Sequence, residues 1–501
     1  MNQLWLGVDV GTQSVKVNIV DDCGVVRASG SAPLTSTRIG NRHEQDPADW
    51  VGQTRAAMAS AINTLNATDR ARIAGVATCA TSGTITTVDA TGSALSPGVM
   101  YDDGRAGALS DEVAAADPER WRRLGYRIQP TWALPKILWL TRQGLLAGGS
   151  RIANQADMVA AALTGGPVAS DWSHSLKSGY DLLELEWPTT ALDSLGIDPG
   201  RLAEVVAPGS VLGHSSAEWA AATGLPERTP VFAGMTDGCA AQLGAGTLAL
   251  GDWHTVIGTT LVVKGVSDRI VVDESGAIYS HRAPHDGLWF PGGASSVGAG
   301  AISAVFPGDD LTARSERIAA TYAGRLHLIP PSYPLVGSGE RFPVIRPDAR
   351  GFVCIDGARV PLEDAAQHLD ADALLASILL GIACVERLAV ETMMDAGVPV
   401  TGTFTSSGGA TRNPWWTQLR ADLLGRVISI PASAEGSTGM AILAAWASGQ
   451  LAGAATPLPE VAAKMSPLGA SFEPNEANRS PLEDQYAAFR SELVDLGWVA
   501  S

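Results

Sequence analysis

Hydrophobic and polar positions alternate over the first thirty residues in a pattern that predicts three short strands. We expect strands at Leu4–Val10, Val15–Val20 and Val25–Ser29. The segments between them, Gly11–Ser14 and Asp21–Gly24, carry the Gly, Asp and Ser residues that tight turns favour. The opening of the chain therefore predicts a β-meander.

A helical period replaces this alternation further along the chain. Asp46 and Pro47 suit the N-cap and the first position of a helix. Its apolar face carries Val51, Met58, Ile62 and Leu65. A strand at Ile73–Thr78 follows. Strands followed by a helix and a further strand indicate an α/β domain with a mixed sheet.

The opening pattern recurs in the second half. Apolar segments at His254–Ile257 and Leu261–Lys264 flank Gly258, Thr259 and Thr260, as the first two strands flank Gly11 and Thr12. We expect a duplicated sheet core, with one domain at residues 1–247 and another at 248–501.

The second half also contains a strand–loop–helix unit. A strand is expected at Val400–Thr405 and a helix from Asn413 to Leu424, with Gly425 as its C-cap and a strand at Arg426–Ile430.

Four other segments complete the prediction. We expect residues 105–225 to be a helical, loop-rich elaboration on the first sheet, followed by a new strand at Pro230–Ala233. We also expect a buried core helix at Ala373–Val385 and a terminal helix over residues 473–501.

Composition excludes several classes of partner. The chain has 501 residues, is 46% hydrophobic and carries a net charge of −17, which disfavours nucleic acid. The chain contains no run of eighteen uncharged apolar residues, so the sequence predicts no membrane span. The five cysteines are scattered and include no C-x-x-C pair, and the N-terminal segment lacks a basic region. Both features favour a location in the reducing cytoplasm.

Familiar catalytic motifs are missing from the sequence. It has no G-x-x-x-x-G-K-[ST], no G-x-G-x-x-G after a strand, no G-x-S-x-G and no H-E-x-x-H, which disfavours P-loop NTPases, Rossmann dehydrogenases, α/β-hydrolases and zincins. The eight histidines form no ligand-spaced cluster.

The turn after the first strand carries candidate phosphate chemistry. Asp9 precedes Gly11, Thr12, Gln13 and Ser14, and backbone N–H groups in such a turn suit phosphate oxygens while the acid holds hydrated Mg²⁺. The alternative is a plain hairpin with a polar tip. Gly258, Thr259 and Thr260 repeat the device, so two such turns together favour a polyphosphate clamp.

Two other loops carry acids. Asp237, in a Gly-Met-Thr-Asp-Gly turn, could accept a proton from a hydroxyl nucleophile, or could simply form an Asx turn or cap a helix. The loop Tyr101–Arg105 suits several hydroxyls, or is a solvated turn with an ion pair. Asn413 could contact a base and also cap its helix.

In this order, the segments resemble the FGGY carbohydrate kinase family of the actin–hexokinase superfamily over nearly the whole chain. The resembling segments are Gly7–Lys16, Tyr101-x-Asp103-x-Arg105, Lys136–Leu140, Gly234-x-x-Asp237, Gly258–Thr260, Gly339–Gly351 and Ser407–Gln418. The resemblance implies two actin-like, ribonuclease H-like domains with an interdomain cleft, and ATP-dependent transfer of phosphate to a sugar hydroxyl.

The resemblance also implies roles for individual residues. Asp237 is the expected catalytic base and a sugar contact, and Asp9 the expected Mg²⁺ ligand through water. The expected ATP contacts are Gly11, Thr12, Gln13, Ser14, Gly258, Thr259, Thr260, Gly408, Gly409 and Asn413. The expected sugar contacts are Thr81, Ser82 and Asp103.

Departures from the family pattern bear on the substrate. Ala80–Thr84 stands where bacterial xylulokinases show Met-His-Gly, Ala133 replaces Pro, Ser or Thr, and Leu380 replaces a usual Glu. Thr81–Thr84, with Tyr279–Arg282 and Gly292–Ser296, is more similar to the D-ribulokinase-like branch.

We therefore expect a kinase converting D-ribulose to D-ribulose 5-phosphate, with xylulokinase or another FGGY sugar kinase as the alternative. An actin-like ATPase and a non-catalytic sugar sensor are the alternatives from other classes. The expected partner is a small-molecule sugar, with neither nucleic acid nor a membrane, and a homodimer stays open.

Overall fold

The computed structural model describes residues 3–308 and 311–500; Met1, Asn2 and Ser501, which belong to the predicted terminal segments, lie outside the described residues. The strands are β1 Leu4–Val10, β2 Ser14–Asp21, β3 Val26–Pro33, β4 Thr37–Ile39, β5 Arg42–Gln45, β6 Ile73–Ala80, β7 Ile85–Val88, β8 Gly98–Val99, β9 Arg151–Asn154, β10 Ser170–Asp171, β11 Val205–Val206, β12 Val211–His214, β13 Pro230–Phe232, β14 Trp253–Ile257, β15 Leu261–Gly265, β16 Tyr279–Arg282, β17 Trp289–Ser295, β18 Ser332–Glu340, β19 Arg346–Ile355, β20 Ala358–Pro361, β21 Phe404–Ser407, β22 Ile428–Pro431 and β23 Leu468–Phe472.

The α-helices are α1 Pro47–Asn63, α2 Ala67–Arg70, α3 Ser110–Ala116, α4 Pro118–Arg123, α5 Ala133–Arg142, α6 Gln155–Thr164, α7 Trp172–Ser175, α8 Thr189–Ser194, α9 Ala217–Thr223, α10 Asp237–Gly244, α11 Gly300–Val305, α12 Leu311–Thr321, α13 Ala371–Asp395, α14 Pro414–Leu424, α15 Gly436–Leu451, α16 Leu458–Met465 and α17 Glu476–Asp495.

The chain divides into two compact units. Unit 1 comprises residues 1–248, 281–289 and 433–467, and unit 2 comprises residues 249–280, 290–432 and 468–501. The assignment of domains 1–247 and 248–501 from the sequence stays a prediction.

The central sheet of unit 1 has the strand order β12-β13-β6-β1-β2-β3. Strands β1, β2 and β3 pair antiparallel, whereas β6 is parallel to both β1 and β13. Strand β1 is almost wholly buried, because central strands of a covered mixed sheet carry apolar residues on both faces.

The central sheet of unit 2 has seven strands in the order β16-β17-β15-β14-β21-β22-β23, and the six strands from β17 to β23 repeat the arrangement of unit 1. Strand β15 is antiparallel to β14 and β17, and β21 is parallel to both β14 and β22. Because these six strands share the order and the directions of the six strands in unit 1, they confirm the predicted duplicated core.

Several local predictions are confirmed by their hydrogen bonds. The Asp46 carboxylate accepts the Ala48 N–H at 2.9 Å and caps α1. Gly425 adopts the left-handed conformation with φ 62° and ends α14, where a side chain would be strained. Residues 105–225 belong to unit 1 and form short helices, as the sequence predicts, but they also contain the strands β9, β10, β11 and β12, which it does not predict.

Three strands begin one to four residues later than predicted. Strand β3 begins at Val26 because the Val25 N–H donates to the Asp21 carboxylate. Strand β21 begins at Phe404 because Gly402 and Thr403 bond instead to the turn at residues 251–252. Strand β22 begins at Ile428 because the Arg426 N–H donates to the Ala421 carbonyl and closes the end of α14.

Helix α13 is longer than the predicted segment Ala373–Val385, since it extends over 25 residues. Its length and apolar composition would suffice to cross a membrane, but 89% of its most apolar window is buried. Helix α13 therefore forms part of the core of unit 2, together with Trp253, Tyr333 and Phe404.

Candidate functional site

Two carboxylates in unit 1, those of Asp9 and Asp237, interact electrostatically. Asp9 lies on β1 beside Cys79 of β6, and the Cys79 thiol donates a hydrogen bond to its carboxylate. Burial raises the pKa of Asp9 to about 6, and the negative charge of Asp237 acts in the same direction. The site therefore concentrates negative charge that a cation or a proton would relieve.

Asp237 is the first residue of α10. Its Oδ1 accepts the Gly238 N–H at 2.7 Å, and the N-cap position of α10, which the sequence left open for Asp237, is occupied by Thr236. The preceding Thr236 is fixed by Ser173, whose hydroxyl accepts the Thr236 N–H at 3.2 Å. The start of α10 fixes the backbone of Asp237, and its role in proton transfer stays a prediction.

The Gly11–Ser14 turn joins β1 to β2 next to this pair. The Gly11 N–H donates to the Ser14 carbonyl at 3.1 Å. The Thr12 carbonyl accepts the Gln45 amide at 2.7 Å, and the Gln13 carbonyl accepts the Leu34 N–H at 2.8 Å. Because a trans peptide places its N–H opposite its carbonyl, the N–H groups of Gln13 and Ser14 face away from these anchors, as a phosphate loop requires.

The start of α15 also lies at the carboxylates, a neighbour that the sequence analysis did not identify. A Cβ on Gly436 would lie 2.8 Å from Asp9 Oδ2 and 3.1 Å from Cys79 Sγ, so only glycine fits. The adjacent Glu435 accepts a hydrogen bond from Asn18 at 2.9 Å and lies 3.8 Å from Lys16 Nζ. The small-residue run Gly436–Gly439 was the available signal of a close approach.

The Thr81–Thr84 turn follows β6. The Thr81 hydroxyl lies 2.6 Å from the Thr84 hydroxyl and donates to Gln155 Oε1 at 2.8 Å. The Ser82 hydroxyl is buried and has no hydrogen-bond partner within the part of the chain that the structure describes. Of the two predicted sugar contacts in this turn, Ser82 therefore has the uncommitted hydroxyl.

The Tyr101–Arg105 loop lies beside that turn, and the Tyr101 N–H donates to the Thr84 hydroxyl at 3.0 Å. The Tyr101 hydroxyl and the Thr12 side chain share a hydrogen bond. The loop thus connects the predicted sugar contacts to the predicted phosphate turn.

Asp103 anchors this loop from the inside. Its carboxylate is fully buried and accepts three hydrogen bonds from Arg105 and one from the His43 N–H. Burial alone would raise the pKa of Asp103, but these bonds hold it below its ordinary value. A sugar contact from Asp103 would have to replace one of these four bonds.

In unit 2, the Gly258–Thr260 turn joins β14 to β15. The Gly258 N–H donates to the Thr260 carbonyl at 3.1 Å, and the carbonyls of Gly258 and Thr259 accept the N–H groups of Ala299 and Gly300. The turn therefore resembles Gly11–Ser14 in both position and internal bonding.

The Gly408–Asn413 loop lies next to that turn in unit 2. Gly408 has φ 91°, and a Cβ there would lie 2.4 Å from the Ile257 carbonyl. Gly409 has no atom within 4 Å of a Cβ position. Asn413 accepts the Trp416 N–H at 3.0 Å and donates to Ser315 at 2.8 Å, so its capping role is present.

A cavity of about 820 Å³ opens beside Gly409 and Asn413, and its walls include Ile302, Leu375 and Leu379. This size and apolar lining suit a nucleoside-sized ligand. Among the described residues there is no group of three or more His, Cys, Asp and Glu side chains placed to hold a metal ion.

Solved structures share this fold over nearly the full length. A xyloylose kinase from Brucella ovis superposes with a TM-score of 0.86 at 23% identity, covering 99% of both chains. A xylulose kinase from Rhodospirillum rubrum gives a TM-score of 0.84 at 24% identity with the same coverage. The fold is thus the two-domain, actin-like and ribonuclease H-like one, whose solved members here are carbohydrate kinases.

Models of both domains of one family match the chain. The N-terminal domain model of the FGGY family of carbohydrate kinases matches residues 4–244, and the C-terminal domain model matches residues 256–448. The chain belongs to the FGGY family of carbohydrate kinases. It is accordingly a phosphotransferase that acts on an alcohol group of a sugar.

Characterised relatives of this chain differ in the substrate that their names give. A gluconokinase of Bacillus subtilis (strain 168) is 25% identical over 476 residues, which cover 90% of this chain and 89% of the relative. A xylulose kinase of the same organism is 26% identical over 458 residues, which cover 89% of this chain and 88% of the relative.

Proposed function

We propose that this kinase transfers the γ-phosphoryl group of ATP to the 5-hydroxyl of D-ribulose. The observation that carries the proposal is the arrangement in unit 1. There, the Asp9 and Asp237 carboxylates adjoin a phosphate-type turn, and the Tyr101 hydroxyl bonds to Thr12 of that turn. A chain that only bound sugar would not require a base next to a phosphate turn.

In this proposal Asp237 accepts the proton of the attacking hydroxyl. A sugar hydroxyl is a poor nucleophile at neutral pH, and a positioned carboxylate removes its proton as the bond to phosphorus forms. Asp237 is at the start of α10, where helix geometry fixes its backbone. The same residue contacts the sugar, since the base must reach the hydroxyl it deprotonates.

Each unit has its own proposed nucleotide contacts. In unit 1, Gly11, Thr12, Gln13 and Ser14 donate to phosphate oxygens. In unit 2, Gly258, Thr259 and Thr260 do so. Gly408, Gly409 and Asn413 border the adenosine, for which the cavity of about 820 Å³ has the required size.

Mg²⁺ fits the charge distribution around Asp9. Burial and the charge of Asp237 both disfavour the ionised Asp9 carboxylate, and a nearby cation would offset both effects. Asp9 would hold the hydrated ion through water, where the ion neutralises polyphosphate charge.

The preference for D-ribulose is based on Thr81, Ser82 and the neighbouring Asp103. Small hydroxyl-bearing residues leave room for a pentulose and can read its hydroxyl groups. D-Xylulose is the second candidate, because a relative that is 26% identical is named xylulose kinase.

A coupled ADP-release assay tests the proposal. The acceptors are D-ribulose, L-ribulose, D-xylulose, L-xylulose, glycerol and gluconate, each at saturating ATP and Mg²⁺. We expect the highest kcat/KM with D-ribulose and the next highest with D-xylulose. Best activity on glycerol or gluconate would overturn the substrate assignment, and ATP turnover that no sugar stimulates would favour an ATPase.

A further inference from the structure

Lys136 is an ammonium buried inside unit 1. It lies on α5 and is 0% exposed. Within the described part of the chain, no carboxylate lies within 4.0 Å of its Nζ to form a salt bridge. Fully buried lysines without an acidic partner are rare, because desolvation strongly penalises the charge. The position therefore calls for a specific role.

The partners of this ammonium are two backbone carbonyls. Lys136 Nζ donates to the Gly83 carbonyl at 3.1 Å and to the Met100 carbonyl at 2.6 Å. Gly83 belongs to the turn that carries Thr81 and Ser82, and Met100 immediately precedes the Tyr101–Arg105 loop. One side chain thus joins the two loops that bear the proposed sugar contacts.

A second lysine supports the same turn from another segment. Lys177 Nζ donates to the Ser82 carbonyl at 3.1 Å, so the carbonyls of Ser82 and Gly83 are held by different ammonium groups. Burial lowers the pKa of Lys136 to about 7, with the charge of Lys177 acting in the same direction and the carboxylates of Asp103 and Asp102 acting against it. A neutral amine keeps two N–H donors, which is the number of carbonyls that Lys136 holds.

The direction of these carbonyls determines the other face of the turn. In a trans peptide the N–H points opposite the preceding carbonyl. With the Ser82 and Gly83 carbonyls directed at lysines, the N–H groups of Gly83 and Thr84 are directed away from them. Removing Lys136 would release both this backbone orientation and the spacing to Tyr101.

We propose that Lys136 is a positioning residue for the acceptor sugar, which it does not touch: it fixes the Thr81–Thr84 turn against the Tyr101–Arg105 loop, with Lys177 as a secondary support. This inference rests on the proposed function insofar as those loops bind the acceptor. It assigns to Lys136 a role in sugar affinity and none in ATP affinity.

The test compares Lys136→Met with Lys136→Arg, which keeps the charge and the donors. Lys264→Met serves as the matched control, because Lys264 is also buried but lies on β15 in unit 2. We expect Lys136→Met to raise KM for the best acceptor by at least tenfold and KM for ATP by less than threefold. Lys136→Arg should lie between it and the wild type, and Lys264→Met should change the sugar KM by less than threefold.

Amide hydrogen exchange provides a readout that does not depend on the sugar. In Lys136→Met, peptides covering residues 81–84 and 100–105 should exchange at least tenfold faster, whereas those peptides should be unchanged in Lys264→Met. If Lys136→Met does not fold, Lys136→Arg and Lys177→Met provide the same comparison through sugar KM and exchange.

Two outcomes would overturn the inference: unchanged exchange in both loops of a folded variant, or a rise in KM for ATP equal to that for sugar. A wild-type enzyme that phosphorylates none of the six acceptors would instead refute the proposed function. In that case the exchange experiment still decides whether Lys136 joins the loops.

Discussion

Replacing Asp237 by Asn tests the proposed base most directly. The substitution keeps the shape of the side chain and its Oδ1, which accepts the Gly238 N–H at 2.7 Å, so the start of α10 should persist. Only basicity and charge are lost. A general base typically contributes about 10²–10⁴-fold, equivalent to about 3–5 kcal/mol of barrier at about 1.4 kcal/mol per decade.

We therefore expect Asp237→Asn to lower kcat by a factor in that range. KM for ATP and for sugar should each change by less than about tenfold, because binding contacts remain. The loss of the Asp237 charge should also lower the pKa of Asp9 from its value of about 6, since that charge disfavours ionisation. Steady-state kinetics give the first result, and carboxyl titration by NMR gives the second.

Asp9→Asn is the matched control. An acid that organises Mg²⁺ controls how the polyphosphate is held, so excess Mg²⁺ should partly restore activity in Asp9→Asn and not in Asp237→Asn. If Asp237→Asn kept most of its kcat with its fold and affinities intact, Asp237 would be only a turn-former. The base would then have to be sought elsewhere, beginning with Asp103.

Three further predictions concern nucleotide binding and stability. Gly409→Val should raise KM for ATP about tenfold or more without altering sugar affinity in calorimetry. The position of a Cβ on Gly409 is open, so the new side chain disturbs no protein contact and occupies only the space proposed for the adenosine. Gly408→Val should instead lower the melting temperature, because Gly408 has φ 91° and a Cβ there would lie 2.4 Å from the Ile257 carbonyl. An equal loss of sugar affinity in Gly409→Val would contradict the assignment. For Asp9, a folded pKa of about 6 against an ordinary 3.8 means that its stabilising contribution is complete below about pH 4 and is lost as pH rises through 6. The free energy of unfolding in urea, measured on metal-free protein, should be higher for Asp9→Asn than for wild type by up to about 3 kcal/mol at pH 7.5. At pH 4 the two proteins should be equally stable. A difference between the two proteins that is the same at both pH values would refute this.

Local sequence signals predicted much of the fold. Alternation predicted β1 and β2, and Asp46 with Pro47 predicted the start of α1, because caps and hairpin turns depend on residues close together in the chain. The recurrence of the Gly-Thr turn at Gly258 predicted the duplicated core, since two similar hairpins begin two sheets that share a six-strand order.

The boundaries of some strands required the tertiary structure. Val400–Thr403 has the composition of a strand, yet Thr403 donates its N–H to the Asp252 carboxylate and β21 begins one residue later. A segment rich in β-branched residues favours extended backbone, but it becomes part of a sheet only where a neighbouring strand is present to pair with its backbone N–H and C=O groups.

The sequence by itself determined the candidate acids and turns of this kinase: Asp9, Asp237 and the two Gly-Thr turns, each recognisable from a few adjacent residues. Only the tertiary structure decided what surrounds them. Gly436 reaches Asp9 from the far end of the chain, and Lys136 holds two loops through carbonyls that every residue possesses. Backbone acceptors have no residue signature, and a run of small residues does not say which segment approaches it, so these contacts emerge only when distant segments pack together.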